Sequence, residues 1–501
     1  MGKMKKFLHF ILVALFIGAL VPISSVKAAT GVTFYQDANY GGTAVTLGAG
    51  SYTLSQLNAA GIPNDWVSSL KVPSGWTVEI YQDDNFTGTK WTFTADISYV
   101  GADCNDKMTS VKITAPATTV ANSIYSVAAS SVPAPSGNGV MTFRVLNGTN
   151  GAYADSSVYW AIFGIDPTTN KWCYVDINGN PIPLTSALND ATGHLTKNNV
   201  NYANVFYTIS QKQWVNLPKL NGARMYLSLG SPCYIRTYDN GYNWPDVNNT
   251  SDPNRNIYFD FVEFTLDANG YHGNTTRVDG FGFPIQHRLI NKSGSFDRTV
   301  GELETETRSG LFTKYANEVP DAFKELGTLQ APYRILPPYR GNNFKSGGAY
   351  ANYYDSYVNQ VWSTYTTKNL TFNCWSGTFT GHVVGNDFVF SKNGGSSNIY
   401  IHGKPSTYNI LAGAGNLVTG TDDEKTAEYQ LCAALNRHIV DDPANWNNAS
   451  YLYKASPSNY YSKFWHDHSI NGLAYGFCFD DSLAAYLDVN DPKGLVVRVG
   501  W

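Results

Sequence analysis

A pattern that occurs twice near the start constrains this chain most. Phe34-Tyr-Gln-Asp-Ala-Asn-Tyr-Gly-Gly42 recurs as Ile80-Tyr-Gln-Asp-Asp-Asn-Phe-Thr-Gly88. Each copy sets an aromatic, four residues, an aromatic, one residue and a glycine at matching positions. Downstream, Asn64-Asp-Trp-Val-Ser-Ser69 recurs as Asn105-Asp-Lys-Met-Thr-Ser110. Short alternating segments such as Thr77–Tyr81 and Lys90–Thr94 lie between them, so each copy predicts a small set of antiparallel strands. The glycine admits a folded hairpin that a residue with Cβ would strain.

Residues 32–115 thereby resemble the βγ-crystallin family, whose two Greek-key motifs carry this aromatic–glycine hairpin. Both copies also match that family's calcium signature of two Asn/Asp, two free positions, Ser/Thr and Ser. The resemblance implies a calcium-binding β-sandwich over 30–116, with Asp65, Ser68, Asp106 and Thr109 as side-chain ligands. Carboxylate and hydroxyl oxygens are the hard donors that Ca2+ prefers. The plain alternative is that the same residues only cap turns.

Ahead of the repeat, Met-Gly-Lys-Met-Lys-Lys, an apolar run from Phe7 to Pro22 and Val26-Lys27-Ala28 form a basic, an apolar and a small-residue segment. Residues 1–28 are expected to be a secretory signal peptide and the mature protein extracellular and off the membrane. Behind the repeat, Ala115–Asn122 is small and polar, and a linker is placed at 117–123. The remainder, 124–501, is long enough for its own core. A net charge of −4 argues against nucleic acid as a partner. Charged residues make up 15% and aromatics 14%, a balance suited to a polar, uncharged ligand such as carbohydrate. The six cysteines show no metal-finger spacing; disulfides and isolated buried thiols both stay open. A monomer is the default.

In the second part, strands are read at Val140–Leu146, Ser157–Phe163, Met225–Leu229 and Ile257–Thr265, and helices at Arg308–Leu326 and Thr421–Val440. Strands first and helices later predict a mostly β fold with an α+β region and a groove between the two. Ile257–Thr265 alternates, with Phe261, Glu263 and Thr265 on one face and Asp260, Val262 and Phe264 on the other. A hairpin centred near Tyr271 would set Glu263 opposite Asp279. Facing acids are destabilising unless used, and glycoside hydrolysis uses such a pair. An ion-pair network with Arg277 or Arg224 is the structural alternative.

Asp260-Phe-Val-Glu-Phe-Thr265, Thr276-Arg-Val-Asp-Gly-Phe-Gly-Phe-Pro284, Phe464-Trp-His-Asp-His-Ser-Ile-Asn-Gly-Leu-Ala-Tyr-Gly-Phe477 and Val496–Trp501 resemble glycoside hydrolase family 64. These are secreted β-1,3-glucanases related in fold to thaumatin-like proteins. The resemblance implies a thaumatin-like β-barrel or sandwich core, a mixed α/β subdomain and a wide groove. It also implies an inverting endo-β-1,3-glucanase acting on laminarin-like or fungal-wall β-1,3-glucan, with pentasaccharide products and no catalytic cofactor. By motif position Glu263 is the acid, Asp279 the base, and Thr265 and Thr276 lie near sugar. Trp465 and Tyr475 are further candidates for sugar contact, and a metal site of His466, His468, Asp480 and Asp481 is the rival use of that stretch. Directly paired strand residues stand about 5 Å apart at Cβ, whereas an inverting pair needs roughly 6.5–9.5 Å between carboxyls. A non-catalytic glucan-binding, thaumatin-like antifungal protein is the alternative function.

Overall fold

The computed structural model describes residues 31–73, 76–114 and 122–501, and within them the repeated motif folds as its glycines require. The expected signal peptide at 1–28 and most of the linker at 117–123 lie outside the described residues. Tyr35 meets Tyr40 edge to face at 5.6 Å, and Tyr81 meets Phe86 at 6.0 Å. The chain folds back at Gly42 and Gly88, whose φ angles are 70° and 75°. A Cβ on Gly42 would stand 2.7 Å from Asp37 Oδ2. The last serine of each downstream signature locks its hairpin. Ser69 Oγ donates to Asp37 O at 2.6 Å and accepts from Tyr40 N at 3.0 Å. Ser110 Oγ does the same for Asp83 O and Phe86 N at 2.7 and 3.0 Å.

Contacts divide the chain into Met1–Thr119 and Val120–Trp501. In the first unit, Gly41–Leu47, Val32–Asp37 and Ser69–Lys71 form one sheet. Gly50–Tyr52, Ser110–Thr114, Thr77–Asp83 and Thr87–Phe93 form the other. Gly50–Tyr52 comes from the first repeat yet pairs in the sheet of the second, the exchange that makes a Greek key. Phe34, Leu70, Ile80 and Val111 are among the buried residues of the shared core.

The second unit is layered. An eight-stranded sheet runs Pro181–Pro183, Lys171–Val175, Val158–Asp166, Leu220–Leu229, Tyr258–Leu266, Tyr271–Thr275 and Tyr486–Val489, with Tyr207–Thr208 alongside the third of these. A five-stranded sheet runs Val215–Leu217, Met141–Gly148, Pro492–Gly500, Ile285–Asn291 and Asp297–Gly301. Phe143, Leu289 and Val497 of the smaller sheet share one apolar cluster with Trp160, Met225 and Val262 of the larger, so the sheets pack face to face. Both sheets keep free edges, and no closed barrel forms among the described residues. Of the expected barrel or sandwich, the sandwich is what the burial pattern permits.

The other face of the large sheet presents Phe163, Tyr226, Phe259 and Phe261, which pack into a second cluster with the helices and a four-stranded sheet spanning 370–401. The helix expected at 308–326 breaks into Arg308–Glu318 and Asp321–Lys324, because Val319 is extended ahead of Pro320. The helix expected at 421–440 runs Asp422–Arg437, opened by a Thr421–Glu424 capping box and closed by left-handed His438. All six cysteines are free thiols, and burial pushes Cys104, Cys173 and Cys233 up to about 12.

Candidate active site

Glu263 sits where the cover over the large sheet ends. Phe259 and Phe261 precede it on the same face and are buried under the helical layer, whereas Glu263 and Thr265 face an open cavity of about 420 Å³. The alternation read from the sequence therefore holds, but the hairpin register does not. The strands turn through Asp267–Gly270, and Glu263 stands opposite Asn274, not Asp279. Gly270, at φ 119°, lets the turn close two residues earlier than Tyr271. Asp279 lies beyond the strand, in the loop that follows.

That loop is shaped to project Asp279. Thr276 Oγ1 accepts from Val278 N at 3.1 Å, and Phe281 pairs through its backbone with Ile335. Gly280 lies between them at φ 121°, and a Cβ there would stand 2.9 Å from Ile335 O. Asp279 Oδ1 accepts from the Tyr339 hydroxyl at 3.1 Å and from Arg340 at 3.4 Å. Burial and the neighbouring Asp279 charge raise Tyr339 to about 12, so its hydroxyl remains a donor.

One guanidinium joins the acids. Arg224 Nη2 lies 2.7 Å from Glu263 Oε1 and 3.5 Å from Asp279 Oδ2. Arg224 Nε also donates to Glu263 Oε1 at 2.9 Å. These contacts confine the two bridged oxygens to within about 6 Å of each other, with the arginine between them and the outer oxygens free to stand further apart. The direct cross-strand pair and its 5 Å constraint therefore do not arise. All three side chains keep about 30% exposure. Arg224 is stacked at 4.5 Å over Phe261 and 6.0 Å from the ring of Trp244, which is 58% exposed. Arg224 and Trp244 line both the Glu263 cavity and a neighbouring one of about 230 Å³ that holds Asp279. The result is a cleft with an acid on either side of a cation and an exposed indole at its rim.

The remaining expected contacts separate. Thr265 lines the Glu263 cavity, its Oγ1 accepting from Gly222 N at 3.0 Å. Thr276 is buried and serves the turn before Asp279. Trp465 is fully buried, stacked on Phe281 at 4.6 Å, so it packs the core and does not meet a ligand. Its position on a helix, Tyr460–Asp467, turns its side chain inward. Tyr475 donates to Asp481 at 2.9 Å and lines neither cavity. His466 is bonded to Asp480 at 2.9 Å, while His468 reaches Glu306 and Glu318, each at 2.9 Å. Among the described residues no cluster of three or more His, Cys, Asp or Glu could hold a metal. Sequence reasoning missed Tyr339 and Arg340. They approach Asp279 from some sixty positions away, and Pro337-Pro338 ahead of them signals only a turn.

In the first unit, the two Asp-bearing loops face each other. Asp65 N donates to Met108 O and Asp106 N to Val67 O, each at 3.3 Å. Both aspartates have φ 55°, and Asn105 Oδ1 is buried without a hydrogen-bond partner among the described residues. Carboxylates, the hydroxyls of Ser68 and Thr109 and nearby carbonyls make an oxygen-only donor set that fits Ca2+.

The sequence model of the β-1,3-glucanase family Glyco_hydro_64 matches residues 139–499. A laminaripentaose-producing β-1,3-glucanase of that family from Paenibacillus barengoltzii, solved with laminarihexaose, is 46% identical. The match covers 86% of this chain and 96% of that one at a TM-score of 0.63. A glucan endo-1,3-β-glucosidase of Arthrobacter sp. (strain YCWD3) is 31% identical over 299 residues, 58% of this chain and 54% of the relative. The chain thus spans about half the length of the curated relatives it matches. A βγ-crystallin domain from Clostridium beijerinckii is 70% identical to the N-terminal part, covering 17% of this chain and 97% of that one at a TM-score of 0.17.

Proposed function

The chain belongs to the β-1,3-glucanase family of glycoside hydrolases, family 64, and from that membership we propose that it is an exported endo-β-1,3-glucanase working by inversion. The observation that carries the reading is the pair Glu263 and Asp279, brought from separate elements to opposite sides of Arg224 in an open cleft rimmed by Trp244. Glu263 gives its proton to the glycosidic oxygen as the C1–O bond breaks. Asp279 takes a proton from water, and the oxygen of that water bonds to C1 from the far face of the ring. Arg224 lies beside both carboxylates, so it offsets the mutual repulsion that two acids would otherwise suffer in the cleft. Thr265 and Asn274 face the same cavity and are placed to bind sugar hydroxyls.

The substrate is a laminarin-like or fungal-wall β-1,3-glucan, and the pentaose named for the Paenibacillus barengoltzii enzyme is the expected product. Digestion of laminarin followed by proton NMR tests both parts of the reading. The first-formed product should be the α-anomer. A β-anomer would overturn inversion, and no hydrolysis of any β-1,3-glucan would overturn the enzyme assignment.

For the first unit we propose calcium held by Asp65, Ser68, Asp106 and Thr109, stabilising the Greek-key pair. A ligand that binds only the folded state at a hundred times its Kd adds about 2.7 kcal/mol. Melting in calcium should therefore exceed melting in chelator, and equal melting would refute the site.

A further inference from the structure

The exposed face of the large sheet continues past the cleft. Glu263 is opposite Asn274, and Asn274 is opposite Tyr486 on the last strand, so the three side chains project from one face. At about 4.8 Å per strand, Tyr486 stands roughly 10 Å from Glu263 along this rank. Tyr486 also lines a cavity of about 400 Å³ at the sheet edge, together with Tyr125, Thr299 and Asn471.

Two independent features of that cavity ask for a ligand. Tyr486 and Tyr125 are 47% and 57% exposed, apolar rings left to solvent on its rim. Tyr125 is nonetheless backed by Arg288, 5.8 Å from the ring centroid. That arginine is fixed by two bonds of 2.6 Å to Asp297 and by the carbonyls of Ile124 and Val127. The second feature is Thr299, only 9% exposed, whose Oγ1 has no hydrogen-bond partner among the described residues. A buried hydroxyl left unpaired costs about 1–3 kcal/mol, which a ligand hydroxyl would recover. Asn274 Oδ1, between Glu263 and Tyr486 on the rank, is unpartnered in the same way. With Asp297 neutralised by Arg288, the site offers rings and hydroxyl partners, which is sugar chemistry.

We propose that the edge cavity is a distal glucan-binding site continuous with the cleft. It takes a further segment of the same β-1,3-glucan chain, with Tyr125 and Tyr486 stacking on glucosyl rings and Thr299 and Asn274 bonding their hydroxyls. This rests on the glucanase reading.

The full chain should be assayed on laminarin as wild type, as the Tyr125→Ala/Tyr486→Ala pair and as the isosteric Thr299→Val. Losing about 1 kcal/mol of stacking should raise KM about five-fold in the pair. Thr299→Val should raise it about two-fold, and kcat should change less than KM in each. Retardation of the Glu263→Gln chain in laminarin gels, with and without the tyrosine pair, reads binding without turnover. Unchanged KM and unchanged retardation overturn the distal site while leaving the glucanase intact. A wild type that hydrolyses no β-1,3-glucan overturns the reading beneath, and retardation lost with the tyrosine pair would still uphold the site.

Discussion

Strand Tyr258–Leu266 carries two acids three residues apart, and each joins an arginine and a second acid, with opposite consequences. Asp260 faces inward with Arg277 and Glu302, all nearly inaccessible. Arg277 donates to Asp260 at 2.9 Å and to Glu302 at 2.6 and 2.8 Å. Backbone N–H groups of Phe261 and Gly282 complete Asp260, and that of Ile285 completes Glu302. Glu263 faces outward with Arg224 and Asp279, each near 30% exposed, and its only hydrogen-bond donor among the described residues is Arg224. Composition is the same in both trios. Burial forces every valence of the first to be filled, whereas exposure leaves the second with room for a substrate and for protons to move.

The widest separation should come from the proposed acid and base. Glu263→Gln and Asp279→Asn should each cost about 10²–10⁴-fold in kcat on laminarin, with unfolding free energy shifted by less than about 1 kcal/mol. Arg277→Met should do the reverse, leaving two buried carboxylates uncompensated and costing about 3–5 kcal/mol in urea unfolding. If it lowered kcat with stability intact, the buried trio would not be the brace described.

Arg224→Met sharpens the contrast more gently. A roughly ten-fold fall in kcat is expected, about 1.4 kcal/mol, with a displaced pH–rate profile and stability nearly unchanged. An unmoved profile would leave Arg224 as packing only.

The smallest effect concerns a third cluster, His466 with Asp480 and Arg437. Burial disfavours the charged imidazole, but the charge of Asp480 and its hydrogen bond outweigh this and raise His466 above 6.5. Its contribution is complete below the unfolded value near 6.5 and is lost as pH rises through the folded value. Burial also opposes the Asp480 charge, yet His466 and Arg437 hold that carboxyl well below its usual range, so its share survives into acid. His468 is likewise raised, against its burial, by Glu306 and Glu318. Melting temperature should drop by roughly 2–4 °C from pH 6 to pH 9, and His466→Asn should flatten the slope. A rise across that range would contradict the assigned charges.

Much of this was legible along the chain. The repeat announced its hairpins, because the aromatic–glycine spacing is a local backbone requirement met within nine residues. Alternation in 257–265 separated Glu263 from Asp260 before any partner was known. Trp465 was misjudged because its motif shows an aromatic beside histidines, and only the helix and Phe281 decide that it points inward. Asp279 was expected on a strand because a turn at Tyr271 seemed as good as one at Asn269-Gly270.

By itself, then, the sequence determined the strands, the two modules and the identity of the two acids, since these rest on periodicity and on short motifs. Tertiary structure alone decided that Arg224 stands between those acids, that Tyr339 and Arg340 hold one of them, and that the twin trio is sealed away. The reason is physical. Periodicity assigns a residue to a face, but burial and charge pairing depend on what the rest of the chain lays against that face.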